Sequence, residues 1–124
     1  MYGDLLTALA GTGIPLAEYA WETRPDTDYL VVQLDGQGAS LESDNMTGEQ
    51  AVEGSVDLFC YGKNRANYDA VWGVLRTSGC SVRLNSVQYE NETRLIHYEW
   101  VFQLPYLEAQ PAAPATTEGG GANG

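Results

Sequence analysis

Few residues of this 124-residue chain could do chemistry: one histidine, His97, and two cysteines, Cys60 and Cys80, among 17 acids. A metal centre would need His97 joined by a cysteine or by carboxylates. None of the usual ligand spacings (CxxC, HxxxH, HExxH) occurs. Nucleophilic catalysis would need Cys60 or Cys80 beside His97 as base, and neither cysteine sits in a recognisable motif. "GTG" and "GQG" are fragments, not phosphate loops. Carboxylate pairs abound because the chain is acidic, which is no sign of acid–base work. Trp21, Trp72 and Trp100 suit stacking, but a net charge of −11 repels a phosphate backbone. They are expected in the core or at a subunit interface. No catalytic, cofactor-binding or metal site is assigned and no cofactor is expected. The residues point to a structural or interaction protein, not an enzyme.

The element that must position His97 is the stretch "RLIHYEWVFQLP", Arg94–Pro105. Ile96, Tyr98, Trp100, Phe102 and Leu104 alternate with Leu95, His97, Glu99, Val101 and Gln103, which is strand spacing. Burying the five large apolar side chains is worth on the order of 10 kcal/mol gross, before entropy. The reading is a central strand with His97 on its mixed face, a sheet-surface histidine. Pro105 has no N–H to extend the ladder.

Upstream, "GDLLTALAGTG" reads as a short helix with Leu5, Leu6 and Leu9 on one face and Gly11 or Gly13 at its end. "IPLAEYAWE" alternates, with Ala17, Tyr19 and Trp21 on one side. "TRPDTD" is a turn and "YLVVQL" a strand. Asp35–Gln50 holds four acids and three glycines and reads as a long loop or loose hairpin. "AVEGSVDLFCYG" should pair with residues 29–34. "NRANYDAVWGVLRTSG" is the clearest helix. Asn64 or Asn67 caps it, Tyr68, Val71, Trp72 and Leu75 form its stripe, and Gly79 takes the left-handed position after it. In "CSVRLNSVQYE" the alternation shifts near Asn85 and Ser86, which predicts a bulge. The expected fold is α+β, with two helices on one face of a largely antiparallel or mixed sheet, in the order α-β-β-(loop)-β-α-β-β.

With 44% apolar residues, the length fits one domain with one modest core. Nothing resembles a signal peptide, and no apolar run approaches the ~20 residues of a membrane span. A soluble protein made in the cytosol is expected, with free thiols, and the acceptor patterns at Asn45 and Asn91 carry no meaning there. The charge is uneven. Residues 1–60 hold eleven acids against Arg24, and residues 61–104 hold five bases against four acids. The last stretch, from Pro105, is rich in Ala, Gly and Pro, and its composition cannot repay the entropy of ordering.

Three stretches, in this order, resemble the tail terminator (tail completion) proteins of long-tailed bacteriophages, in the minor tail and minor capsid group. "LLTALAGTGIPLAEYAWE" is similar to the group's opening helix and strand. "VDLFCYGKNRANYDAVWGVLRTSG" resembles its middle strand and Asp- or Glu-bearing helix, and "RLIHYEWVFQLPY" its last strand. The acidic 36–50 loop and the Ala/Pro/Gly tail depart from the pattern. The resemblance implies a terminator-like domain over residues 1–107, followed by a flexible tail over 108–124. It implies a virion protein of the neck, made in the host cytoplasm. The chain would form a ring, usually a hexamer, that sits on the tail tube protein and offers a surface to the head-side connector protein. DNA would pass through an acidic lumen without specific binding, and no membrane is involved. Asp35, Leu41, Glu42, Asp44, Met46 and Glu49 are the expected interface residues, reaching a neighbouring subunit or the tube. Two alternatives stay open: another head–tail connector component, such as a head-closure or joining protein, and a small ligand-binding α+β domain.

Overall fold

The computed structural model describes residues 2–37 and 51–105. The elements follow in the order α1 (Tyr2–Ala10), β1 (Leu16–Glu18), β2 (Tyr29–Gln37), β3 (Ala51–Cys60), α2 (Ala66–Arg76), β4 (Ser81–Glu90) and β5 (Leu95–Pro105). The strands form one mixed sheet in the order β1-β2-β3-β5-β4. β1 runs parallel to β2, and the other pairings are antiparallel. Both helices pack on one face, so the domain is α+β.

The core lies between that face and the helices. Leu5 and Leu9 of α1 and Tyr68, Val71 and Leu75 of α2 are buried against Leu30, Val32, Val56, Leu58, Trp100 and Phe102. The alternation of β5 dictates this. Tyr98, Trp100, Phe102 and Leu104 are buried, and Ile96 packs at the margin. Trp100 sits among Tyr68, Trp72 and Tyr98, with ring centroids 5.6, 5.9 and 6.2 Å away. Trp72 is only half-buried, and the Arg76 guanidinium lies over its ring at 4.8 Å. Gly54 of β3 is opposite Phe102. A Cβ there would come within 2.4 Å of the Gln33 carbonyl oxygen and 2.5 Å of the Phe102 ring. Only glycine leaves room for both.

Several local features have specific causes. α1 stops where the Thr12 hydroxyl donates to the Leu9 carbonyl at 2.7 Å and Gly13 turns the chain at φ 84°. β1 is shorter than its alternation predicts. Tyr19 adopts φ 72°, a region non-glycine residues rarely enter. Two bonds hold it there: its N–H reaches the Val32 carbonyl at 3.0 Å, and the Ala20 N–H folds back on the Glu18 carbonyl at 2.8 Å. Trp21 therefore leaves the strand, and its indole N–H donates to the Leu30 carbonyl at 3.1 Å. At α2 the N-cap position falls on Arg65, which makes no side-chain cap, so neither asparagine caps the helix; Asn64, one residue earlier, accepts from the Ala66 N–H at 2.7 Å. Asn67 donates instead to Asp28 at 2.8 Å, and Asp28 also accepts from the Tyr61 N–H at 2.9 Å. Asp28 thus ties the starts of β2 and α2 to the end of β3. Gly79 is left-handed at φ 89°. The bulge in β4 falls between Leu84 and Ser86, where the alternation breaks. β2 carries a second bulge between Leu34 and Gly36 and extends to Gln37, into the stretch read as loop.

Candidate functional site

The helices cover one face of the sheet and leave the other without them. Cross-strand register assembles that second face row by row. Tyr29, Phe59, His97 and Gln88 form one row, and Val31, Asp57, Glu99 and Ser86 the next. Gln33, Ser55, Val101 and Arg83 follow, then Glu53, Gln103 and Ser81. The outward positions of β2, β3 and β5 carry Asp35, Glu53, Asp57 and Glu99 but no lysine or arginine. Arg83, on the outermost strand, is the face's only such residue among these rows.

The first row is a continuous run of rings. Trp21 meets Tyr29 edge-on at 6.2 Å, Tyr29 stacks on Phe59 at 4.8 Å, and Phe59 stacks on His97 at 4.2 Å. Tyr29 is buried here although no helix covers it. Stacking of this kind fixes ring planes and aims the imidazole edge along the sheet.

His97 sits between two carboxylates. Its Nε2 lies 2.6 Å from Asp57 Oδ1, and its Nδ1 lies 3.4 Å from Glu90 Oε2. When protonated, both nitrogens donate, one to each carboxylate. Burial pulls the imidazole pKa down, but the hydrogen bond and charge of Asp57, then the charges of Glu90 and Glu99, outweigh it. The net shift is upward from 6.5. The carboxylates have further donors. Ser55 donates to Asp57 at 3.4 Å, Asn85 to Glu99 at 3.0 Å, and Gln103 to Glu53 at 3.2 Å. A groove of about 240 Å³ beside Arg83 is lined by Ser81, Val82, Val101 and Gln103.

The geometry supplies a charged, hydrogen-bonded surface rather than an activated nucleophile. The Ser55 hydroxyl touches Asp57, whereas triad chemistry places the imidazole between hydroxyl and carboxylate. Cys60 lies on the opposite, helix-covered face, opposite Ile96. Burial first, and then Asp28, push its thiol up to about 12, far from a thiolate nucleophile at neutral pH. Cys80 is half-buried, with its sulfur 2.8 Å from the Ser78 hydroxyl. Both cysteines are free. Among the described residues no group of His, Cys, Asp and Glu could hold a metal ion, and no helix is long and apolar enough to cross a membrane.

Of the expected interface residues, Asp35 stands exposed at the β2 bulge, accepting from Gln33 Nε2 at 2.7 Å. Leu41, Glu42, Asp44, Met46 and Glu49 lie outside the described residues, as does the 108–124 tail. Asp57, Glu90, Tyr29 and Phe59 were not singled out from the sequence. The available signal was the pairing of β3 with β5: two mixed faces in register place Asp57 and Phe59 beside His97. No family model matches the chain, and no curated protein matches it either.

Proposed function

We propose that this chain is a structural component of a bacteriophage neck: a ring, hexameric in the simplest reading, that caps the tail tube and presents a surface to the head-side connector. The observation that carries this is the helix-free sheet face, with Asp35, Glu53, Asp57 and Glu99 on three adjacent strands and no lysine or arginine among them. Facing a channel, such a surface lets DNA slide past, because like charges disfavour contact. The carboxylates are held by neighbours rather than free to seek phosphate-bound cations. The order of helix, strands, Asp-bearing helix and long closing strand, in which the resemblance to tail terminators lies, adds support.

The test is reconstitution. Purified protein is added to tail tubes lacking a terminator, and the tube ends are imaged by electron microscopy. A ring on the tube end, with recovery of the ability to join heads, is the expected result. Binding to isolated head connectors but not to tubes would make the chain a head-closure or joining protein. Binding to neither would overturn the reading.

A further inference from the structure

The two edges of the sheet differ in how they are finished. β1 forms one edge and is blunted. It has three residues, Glu18 is exposed, the Glu18 carbonyl is taken by the Ala20 N–H, and left-handed Tyr19 ends the strand. Shortness, a charge and a backbone turn are the devices by which edge strands avoid pairing with other chains. β4 forms the other edge. It is ten residues long and, among the described residues, pairs only with β5. Its bulge at Asn85 protects the first half. From Ser86 to Glu90 the register with β5 is regular, and no strand among the described residues lies beside the outer backbone groups of that half.

The side chains on this open half are apolar where solvent would call for polar. Val87 and Tyr89 are 52% and 59% exposed, and they account for two of the four large apolar side chains left exposed among the described residues. They are opposite Tyr98 and Ile96, so both project on the helix-covered side, beyond the reach of α2. Charge is distributed unevenly along the strand. Arg83 lies at its start, while Glu90 and Glu92, set against Arg94, lie at its end and in the turn beyond. An antiparallel second copy brings each end against its complement, whereas a parallel one sets like against like.

We propose that β4 is a self-pairing edge. Two copies of this chain align antiparallel along Ser86–Glu90 about a two-fold axis near Gln88, forming one continuous sheet of ten strands. Val87 of each copy then packs against Tyr89 of the other, an aromatic–β-branched pair of the kind that stabilises strand pairing. Arg83 of each reaches the acidic turn of the other. The contact is isologous, so it cannot by itself close a ring. It is independent of the reading given under Proposed function, and in a ring-forming protein it would join two rings or hold unassembled chains as pairs. Five residues a side make a small interface, so the pairing is reversible.

Sedimentation of the full chain over roughly 1 µM to 1 mM tests this. The wild type should show a concentration-dependent doubling of mass. Val87→Lys and Tyr89→Lys place a charge on an exposed position and should weaken it by about tenfold or more, with unchanged melting curves. Arg83→Glu should weaken pairing, and Arg83→Glu combined with Glu92→Arg should restore it. A wild type that never doubles overturns the proposal. So does an assembly whose mass is the same in both lysine variants, and that result leaves the ring reading intact. Normal pairing in a protein that fails to cap tubes would overturn the ring reading alone.

Discussion

The same five strands present two surfaces that differ in kind. On one, Leu30, Val56, Leu58, Trp100 and Phe102 are fully excluded from solvent beneath two helices. On the other, a stacked row from Trp21 to His97 adjoins carboxylates that each have a named partner. One residue separates the two along any strand. Trp100 is between Glu99 and Val101, and Cys60, with its pKa pushed up, is next to Phe59. The difference teaches that stability and surface character can be tuned separately here. The covered side gains from dispersion and water exclusion. The open side gains from hydrogen bonds and charge, which respond to pH and salt.

The comparison can be broken most sharply at Trp100. Trp100→Ala should cost about 3–5 kcal/mol, as large core truncations do, measured by urea denaturation. A loss below about 1 kcal/mol would mean that the covered side does not carry the fold. Trp100 also has a buried indole N–H with no partner among the described residues. That unmet donor costs stability, so Trp100→Phe should be far milder than the alanine change.

The second test asks how tightly the covered side is fitted. Gly54→Ala forces a methyl against the Gln33 carbonyl and the Phe102 ring. Overpacking of this sort costs about 1–3 kcal/mol. The same experiment reads it, and a neutral result would show that β2 and β3 can part without penalty.

The smallest effect belongs to the open side and depends on pH. His97 has a pKa raised above 6.5 in the folded chain. Its ion pairs therefore stabilise fully below the ordinary value, and the contribution disappears as pH rises through the folded value. His97→Gln should lower stability by on the order of 1 kcal/mol below that range, and the gap to wild type should close at alkaline pH. Denaturation curves across pH, with NMR titration of the imidazole, check this. A gap that widens with rising pH would have the wrong sign for a histidine held by carboxylates.

Much of this was legible beforehand, for physical reasons. Ile96 to Leu104 alternates without a break, and nothing but a strand with one buried face satisfies that pattern. The β4 bulge was visible because an extra residue at Asn85 shifts the phase. The helix stripe from Tyr68 to Leu75 was equally plain. β1 was not, because Ala17, Tyr19 and Trp21 also alternate, while tyrosine is a poor candidate for a left-handed φ. A tertiary bond to Val32 and a tight turn closed on Glu18 impose that conformation, and the alternation reports neither. Asn67 looked like a cap, and a distant aspartate claimed it. The Asp57–His97–Glu90 cluster needs the register of three strands at once, with Asp57 and His97 forty positions apart. Each member is unremarkable in its own segment.

The position of β5 has a consequence in time. It is the last strand along the described chain, yet it lies inside the sheet, between β3 and β4. Until it emerges from the ribosome, β3 and β4 both lack the strand that joins them. Leu104 must come back to Val52, and Ile96 to Cys60, so the domain cannot be assembled piecemeal from its beginning. Synthesis delivers the wedge last, and the two parts of the sheet become one molecule only when it slides between them.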